Sequence, residues 1–204
     1  ELFSLQMFGF KNSGFIDVAW YLSALFIVSF LLYPILLRRK RGFVLYAAPL
    51  LVLFIYGFFS RTLNGAVNMP THWYGFCYKG LLRGIAGMSL GCISYALSDK
   101  IKKHSFSQKE RAVLTAVEFA GYLIAVFHLI FCPVQESLDF LIIFLLFVSV
   151  TISFSGRSHS AALFDRRIFV LLGEFSLPMF LNHSYVRENM KRLFENLLPG
   201  APEL

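Results

Sequence analysis

"AWYLSALFIVSFLLYPILL", residues 19–37, carries no charge from end to end. A helix needs roughly 20 mainly apolar residues to cross the ~30 Å hydrocarbon core of a bilayer, and this stretch supplies them. Lipid offers no partners for backbone N–H and C=O groups, so such a run crosses as a helix. After "RRKRG" (38–42) comes "FVLYAAPLLVLFIYGFFS" (43–60), also uncharged. Four more stretches have the same character: 81–98 holds only Arg83, and 112–131 holds Glu118 and His128. The fifth, 138–155, begins beside Asp139, and the sixth, 168–186, carries Glu174, Pro178 and His183. With 57% hydrophobic residues, 15% charged residues and a mean hydropathy of +0.64, the chain lies outside the soluble range. The expected fold is all-α: a polytopic transmembrane bundle of about six spans, one unit over residues 1–204, without a soluble domain.

The net charge of +7 is distributed as membrane topology requires. Twelve of the 19 Lys and Arg stand in alternate loops: Arg38–Arg41, then Lys100, Lys102, Lys103, Lys109 and Arg111, then Arg157, Arg166 and Arg167. The loop 132–137 holds none. The positive-inside rule places the three basic loops in the cytoplasm and the start of the chain outside, with the basic tail (Arg187, Lys191, Arg192) fitting less well. Topology accounts for these charges, so nucleic acid is not an expected partner; the lipid bilayer is. Cys77, Cys92 and Cys132 show neither pairing nor metal spacing, and no metal site is expected.

Polar residues inside spans are costly and must be shielded or paired. Arg83 opens "LRGIAGMSLGCISY", where Gly87 and Ser94 fall near its side of the helix and Gly91 adjoins. Small residues at that spacing admit a neighbouring helix. Arg83 therefore either faces protein, where a guanidinium grips phosphate or carboxylate bidentately, or snorkels to the nearby interface. Glu118 shares a broad face with Gly121, Tyr122 and Ala125, with His128 at its edge. It serves either a structural hydrogen bond to a neighbouring helix or a polar cavity. Glu174 and His183 are nine residues apart, half a turn out of phase, so they do not pair with each other. Pro178 between them leaves the carbonyl of Glu174 without its helical partner and predicts a kink. Asn64, Asn68, His72, Trp73, Tyr74 and Tyr78 make the 61–80 loop either an interfacial belt or a substrate mouth. No Gly-rich phosphate loop, HExxH or serine elbow is present.

Three stretches together resemble acyltransferase family 3, the multi-pass O-acyltransferases of bacterial envelopes. "AWYLSALFIVSFLLYPIL" is similar to the family's Trp-x-Leu-Ser segment ending in Tyr-Pro, through Trp20, Leu22, Ser23, Tyr33 and Pro34. Arg83, Gly87 and Gly91 match its Arg-x-x-x-Gly-x-x-x-Gly helix. Gly173, Phe175, Ser176, Phe180, Leu181 and His183 match the segment that closes its last helices. The resemblance implies transfer of an acyl group, usually acetyl from acetyl-CoA, to a hydroxyl of an envelope carbohydrate at a bacterial inner or plasma membrane. It implies no bound cofactor, and makes Trp20, Ser23, Arg83, Glu118, Glu174 and His183 the substrate-binding candidates.

Two departures qualify the match. Leu25 stands where many members carry an acid. The family's key arginine and histidine, with ten residues between them on its first helix, have no counterpart on the first helix here. The expectation is a C-terminal portion of such an enzyme, inactive alone, with the missing N-terminal helices as its partner and no catalytic residue of its own. Two other readings remain at this point: half of a transporter or flippase, since polar kinked helices also line substrate paths, and the membrane-sensing half of a fused enzyme.

Overall fold

The computed structural model describes residues 19–62, 72–132 and 138–197. Among these, every regular element is helical: α1 (Ala19–Gly42), a π-helical turn (Phe43–Ala47), α2 (Ala48–Arg61), α3 (Lys79–Lys102), α4 (Gln108–Phe131), α5 (Leu138–Ser155), the short α6 (Ala161–Phe164) and α7 (Arg167–Leu197).

The basic run that ends the first apolar stretch is where the chain turns back. Arg39 leaves helical geometry (φ −137°, ψ 38°), and the π-helical turn follows at once. A straight helix over Trp20–Arg61, 42 residues, would be roughly 63 Å long. Instead Trp20 and Tyr56 line one cavity, so α1 and α2 form an antiparallel hairpin. Pro49 contributes to the wider turn, because it has no N–H to offer the carbonyl of Leu45.

The centre of the bundle is α3, which packs on α1, α2 and α5, while α4 packs chiefly on α5. Val28, Leu32, Phe43 and Ala48 join with Leu81, Ile85 and Met88 to seal the hairpin against α3. Close approach of α1 is made at Gly84, where a Cβ would lie 3.3 Å from Val28 Cγ2 and 3.6 Å from Ala24 Cβ. Around Gly87 and Gly91 a Cβ would meet nothing within 4 Å. The small-residue face is open at these two glycines and meets α5 at Ser94, which bonds Thr151, while α1 makes its close approach at Gly84.

On α4 the buried positions are Glu118, Gly121 and Ala125, with Tyr122 and His128 partly buried. This is the face that helical periodicity predicts. Phe119, Leu123, Phe127, Ile130 and Phe131 lie on exposed surface, as lipid solvent requires.

Among the described residues four helices are long and apolar enough to cross a membrane, and the reversal at Arg39 divides the first into two segments. The all-α polytopic fold is as expected, and five of the six expected spans fall in these helices. The sixth, 168–186, does not. That stretch belongs to the 31-residue α7, where Glu174, Pro178, Asn182 and His183 dilute the hydropathy, and α7 falls outside the four. Almost all of its visible side chains are exposed, and Phe180 against Tyr21 (5.3 Å between rings) is its contact with α1.

The three basic turns meet at one end of the bundle. Arg157 donates from Nε to the carbonyl of Lys102 (3.0 Å) and Arg111 donates to the carbonyl of Arg157 (3.0 Å). Lys40 sits over the Tyr95 ring at 5.0 Å, on the side of α3 that leads to the same end. The chain therefore has a basic end and an opposite end, as the alternating loops predict.

Candidate functional site

At the opposite end, α1, α2, α3 and α5 enclose a cavity of about 350 Å³. Its walls are Trp20 and Tyr21 from α1, Tyr56 from α2, Arg83 from α3 and Ile143 from α5, with Gly80, Gly84 and Gly87 giving α3 a flat surface there. Arg83 is partly buried, and its guanidinium carbon lies 6.0 Å from the centre of the Trp20 ring. Placing a cation against an indole face is favourable and holds the guanidinium in place. Arg83 faces protein, the first of the two roles open to it from sequence.

A short turn roofs this end. Gly75 adopts φ +91°, a conformation that side-chain-bearing residues avoid. The turn is tied by bonds from Tyr74 N to Cys77 O (3.0 Å) and Lys79 N to His72 O (2.9 Å). Tyr74 packs on Phe58 and His72, its hydroxyl 3.1 Å from Thr62 Oγ1, while Trp73 is half exposed, as an interfacial residue would be. Burial pushes the Cys77 thiol up from its ordinary range. Asn64 and Asn68 lie outside the described residues.

Lys79, one helical turn before Arg83, is fully buried, with Nζ 5.0 Å from the centre of the Phe59 ring. The sequence reading passed over it. Two cations four apart at the start of an apolar helix are unfavourable on a bare surface, and that spacing was the available signal. Tyr21 and Tyr56 were also missed, because an aromatic residue in an apolar run looks the same whether it faces lipid or a cavity.

The six candidates do not form one site. Trp20 and Arg83 share the cavity, and Ser23 is fully buried three residues along α1 from Trp20. Glu118 stands apart, fully buried nearer the basic end. Its Oε2 accepts from Ser160 Oγ at 2.5 Å, and Ser160 in turn is 2.7 Å from Ser158. Both serines belong to the turn after α5, which Gly156 opens at φ +63°. The same turn is fastened to α4 through His159 N and Thr115 Oγ1 (2.8 Å). Glu118 thus makes the structural hydrogen bond, to a loop instead of a helix. Next to it the helices nearly touch: a Cβ on Gly121 would lie 2.1 Å from Ser149 Oγ. The α3–α5 contact carries a further buried bond, Thr151 to Ser94 (2.9 Å).

Glu174 and His183 are exposed on α7. His183 bonds the carbonyl of Phe180, and the Phe180 ring reaches Tyr21 on the cavity wall. Through that ring the segment 172–186 touches the site without entering it. His128, considered alone from sequence, pairs with Asp139 at 2.9 Å and closes α4 against α5. Arg61 and His72 have ten residues between them, but Arg61 ends α2 and His72 lies beyond it outside any helix. They do not reproduce an arginine and histidine on a single helix. Among the described residues no group of three or more His, Cys, Asp or Glu could hold a metal ion.

The family model described as an acyltransferase domain matches residues 2–202. No curated protein and no solved structure matches the chain. The match spans nearly the whole sequence, including the stretches that hold Trp20, Arg83 and His183. This multi-pass helical membrane chain belongs to acyltransferase family 3.

Proposed function

We propose that the chain supplies the acceptor side of a membrane O-acyltransferase, in which an acetyl group passes from acetyl-CoA to a hydroxyl of a bacterial cell-envelope carbohydrate. The observation that carries this reading is the aromatic-walled cavity holding Arg83 at the end away from the basic turns. With the basic end in the cytoplasm, that cavity opens toward the outer face, where envelope carbohydrate is met. Trp20, Tyr21 and Tyr56 offer flat apolar faces to the C–H side of a sugar ring, and Arg83 offers directed donors to its oxygens.

The donor belongs to the other face. The hollow there that contains a cation is lined by Lys40, Tyr33 and Tyr95. A more open one is lined by Ser153, Phe164 and Asp165, and its carboxylate disfavours the phosphates of CoA. In the transfer, the acceptor oxygen attacks the thioester carbonyl, its proton leaves to a base, and CoA departs as the thiolate. We assign no base to this chain. That role belongs to the family's arginine–histidine helix, and transfer is proposed for the protein with that helix present.

The test is transfer of label from acetyl-CoA to envelope sugars by membranes carrying the complete protein. Arg83→Ala is expected to abolish the signal. Normal transfer by a stably expressed Arg83→Ala protein would reduce Arg83 to an interfacial anchor and sink the reading.

A further inference from the structure

The charge balance of the cavity says more about the ligand than its shape does. Arg83 is a permanent cation, and among the described residues none that lines the cavity is acidic. The ion pairs of Lys103 with Asp99 and His128 with Asp139 do not use Arg83. The guanidinium meets the Trp20 face, which attracts a cation but accepts none of its five N–H donors in the plane of the group. A guanidinium held within a bundle, beside a cavity whose described lining carries no carboxylate, is matched by an anionic ligand atom. Gly80, Gly84 and Gly87 keep the α3 wall beside Arg83 free of side chains, and about 350 Å³ suits a single sugar unit.

We propose that the acceptor bound here is an acidic sugar, whose carboxylate or phosphate is held by Arg83 while its ring lies against Trp20, Tyr21 and Tyr56. This rests on the cavity being the acceptor site. Its content is that the anionic substituent sets specificity by orienting the sugar, so that a neutral sugar of the same size binds weakly. Trp20, one of two tryptophans in the chain, reports occupancy directly. The other, Trp73, is half exposed in the roofing turn and can be replaced by phenylalanine to leave a single reporter.

The experiment titrates the 204-residue chain carrying Trp73→Phe, in phosphatidylcholine nanodiscs, with glucuronic acid, glucose 6-phosphate and glucose, reading Trp20 fluorescence. Both acidic sugars should bind at least about tenfold more tightly than glucose, the scale of one charge-assisted hydrogen bond. Arg83→Gln should erase that preference. Gly87→Phe, whose Cβ meets no atom within 4 Å, should fill the cavity and weaken all three sugars. Thermal midpoints check that each variant is folded, and if Arg83→Gln is not, the ratio of acidic-sugar to glucose affinity in the Trp73→Phe chain decides. Equal binding of glucose and glucuronic acid would overturn the proposal. So would inorganic phosphate binding as well as glucose 6-phosphate, or displacement of the acidic sugars by coenzyme A or by phosphatidylglycerol in the disc. Coenzyme A would assign the cavity to the donor, and phosphatidylglycerol to a lipid headgroup. Because binding is read without turnover, acidic-sugar preference with no acetyl transfer would leave this inference standing and defeat the proposed function. Transfer to a neutral sugar with no binding preference would do the reverse.

Discussion

Around Glu118 the bundle closes on its polar atoms, whereas around Arg83 it leaves them facing open space. The carboxylate is fully buried beneath a turn whose serines bend back to meet it, with α4 and α5 in near contact at Gly121. The guanidinium is partly buried beside a cavity, one turn of α3 from Gly87, where a Cβ would meet nothing within 4 Å. Both groups cost free energy in a membrane interior and both are held in place. The difference is what holds them. The Ser160 hydroxyl donates to Glu118 Oε2, so at that oxygen the chain itself does what water would do. Arg83 rests on an aromatic ring, which steadies it while leaving its hydrogen-bonding capacity for a ligand. A buried polar residue in a membrane helix therefore marks function only when its donors or acceptors are left for something else to meet.

Arg83→Ala gives the largest expected effect. Losing a charge-assisted contact to the acceptor should lower acetyl transfer by about 100-fold, while the thermal midpoint in detergent hardly moves. A large drop in that midpoint, with activity surviving in the folded fraction, would make Arg83 part of the framework and end the contrast with Glu118.

Gly121→Val tests the closed region. An ideal Cβ already falls 2.1 Å from Ser149 Oγ and 3.3 Å from the carbonyl of Leu145, and the carbonyl is backbone that cannot rotate away. Forcing the helices apart should cost about 1–3 kcal/mol, measured as a lower unfolding midpoint in detergent. Gly87→Val, in open space, should cost far less. Equal losses at the two glycines would show that the open face is filled in the working protein.

Ser160→Ala is a smaller intervention on the same cluster. Glu118 Oε1 already has no hydrogen-bond partner, and removing the Ser160 hydroxyl would strip Oε2 of its bond as well. Leaving a buried acceptor unmet costs about 1–3 kcal/mol, so stability should fall, with transfer per folded molecule unchanged. Lost transfer without lost stability would bring Glu118 into the reaction.

Much of this contrast was legible in the sequence, and the boundary of legibility has a physical cause. Periodicity put Glu118, Gly121, Tyr122 and Ala125 on one face because burial in a helix follows 3.6-residue geometry. It did not name the partner of Glu118, since Ser158 and Ser160 lie outside any apolar span and reach it only through the tertiary turn at Gly156. Glycines on α3 announced room, but Gly84 is filled by α1 while Gly87 and Gly91 are not. A missing side chain specifies space and leaves its occupant open. The start of α4 was set at 112 from hydropathy alone, yet Ser107 and Glu110 form a capping box, with Ser107 N donating to Glu110 Oε2 at 2.7 Å. That S-x-x-E pattern was readable. His128 and Asp139 flank the short 132–137 connection between antiparallel helices, so their pairing follows from topology once the two are considered together.

The smallest expected effect concerns which face of the membrane the cavity serves, and cysteine chemistry reads it. Cys132 is exposed just past α4, at the end away from the basic turns, and Cys77 is partly buried in the roofing turn at that end. With the basic end in the cytoplasm, a membrane-impermeant maleimide applied to intact cells should label Cys132 readily at neutral pH. Cys77 should lag, because burial raises its thiol pKa and only the thiolate reacts. A higher pKa means a smaller thiolate fraction at a given pH, so labelling of Cys77 should accelerate as the pH is raised through that higher value. If Cys132 reacts only after the cells are permeabilised, the bundle is inverted. The Arg83 cavity would then open to the cytoplasm, and a guanidinium with unmet donors there would point to the phosphates of the acyl donor in place of an acidic acceptor.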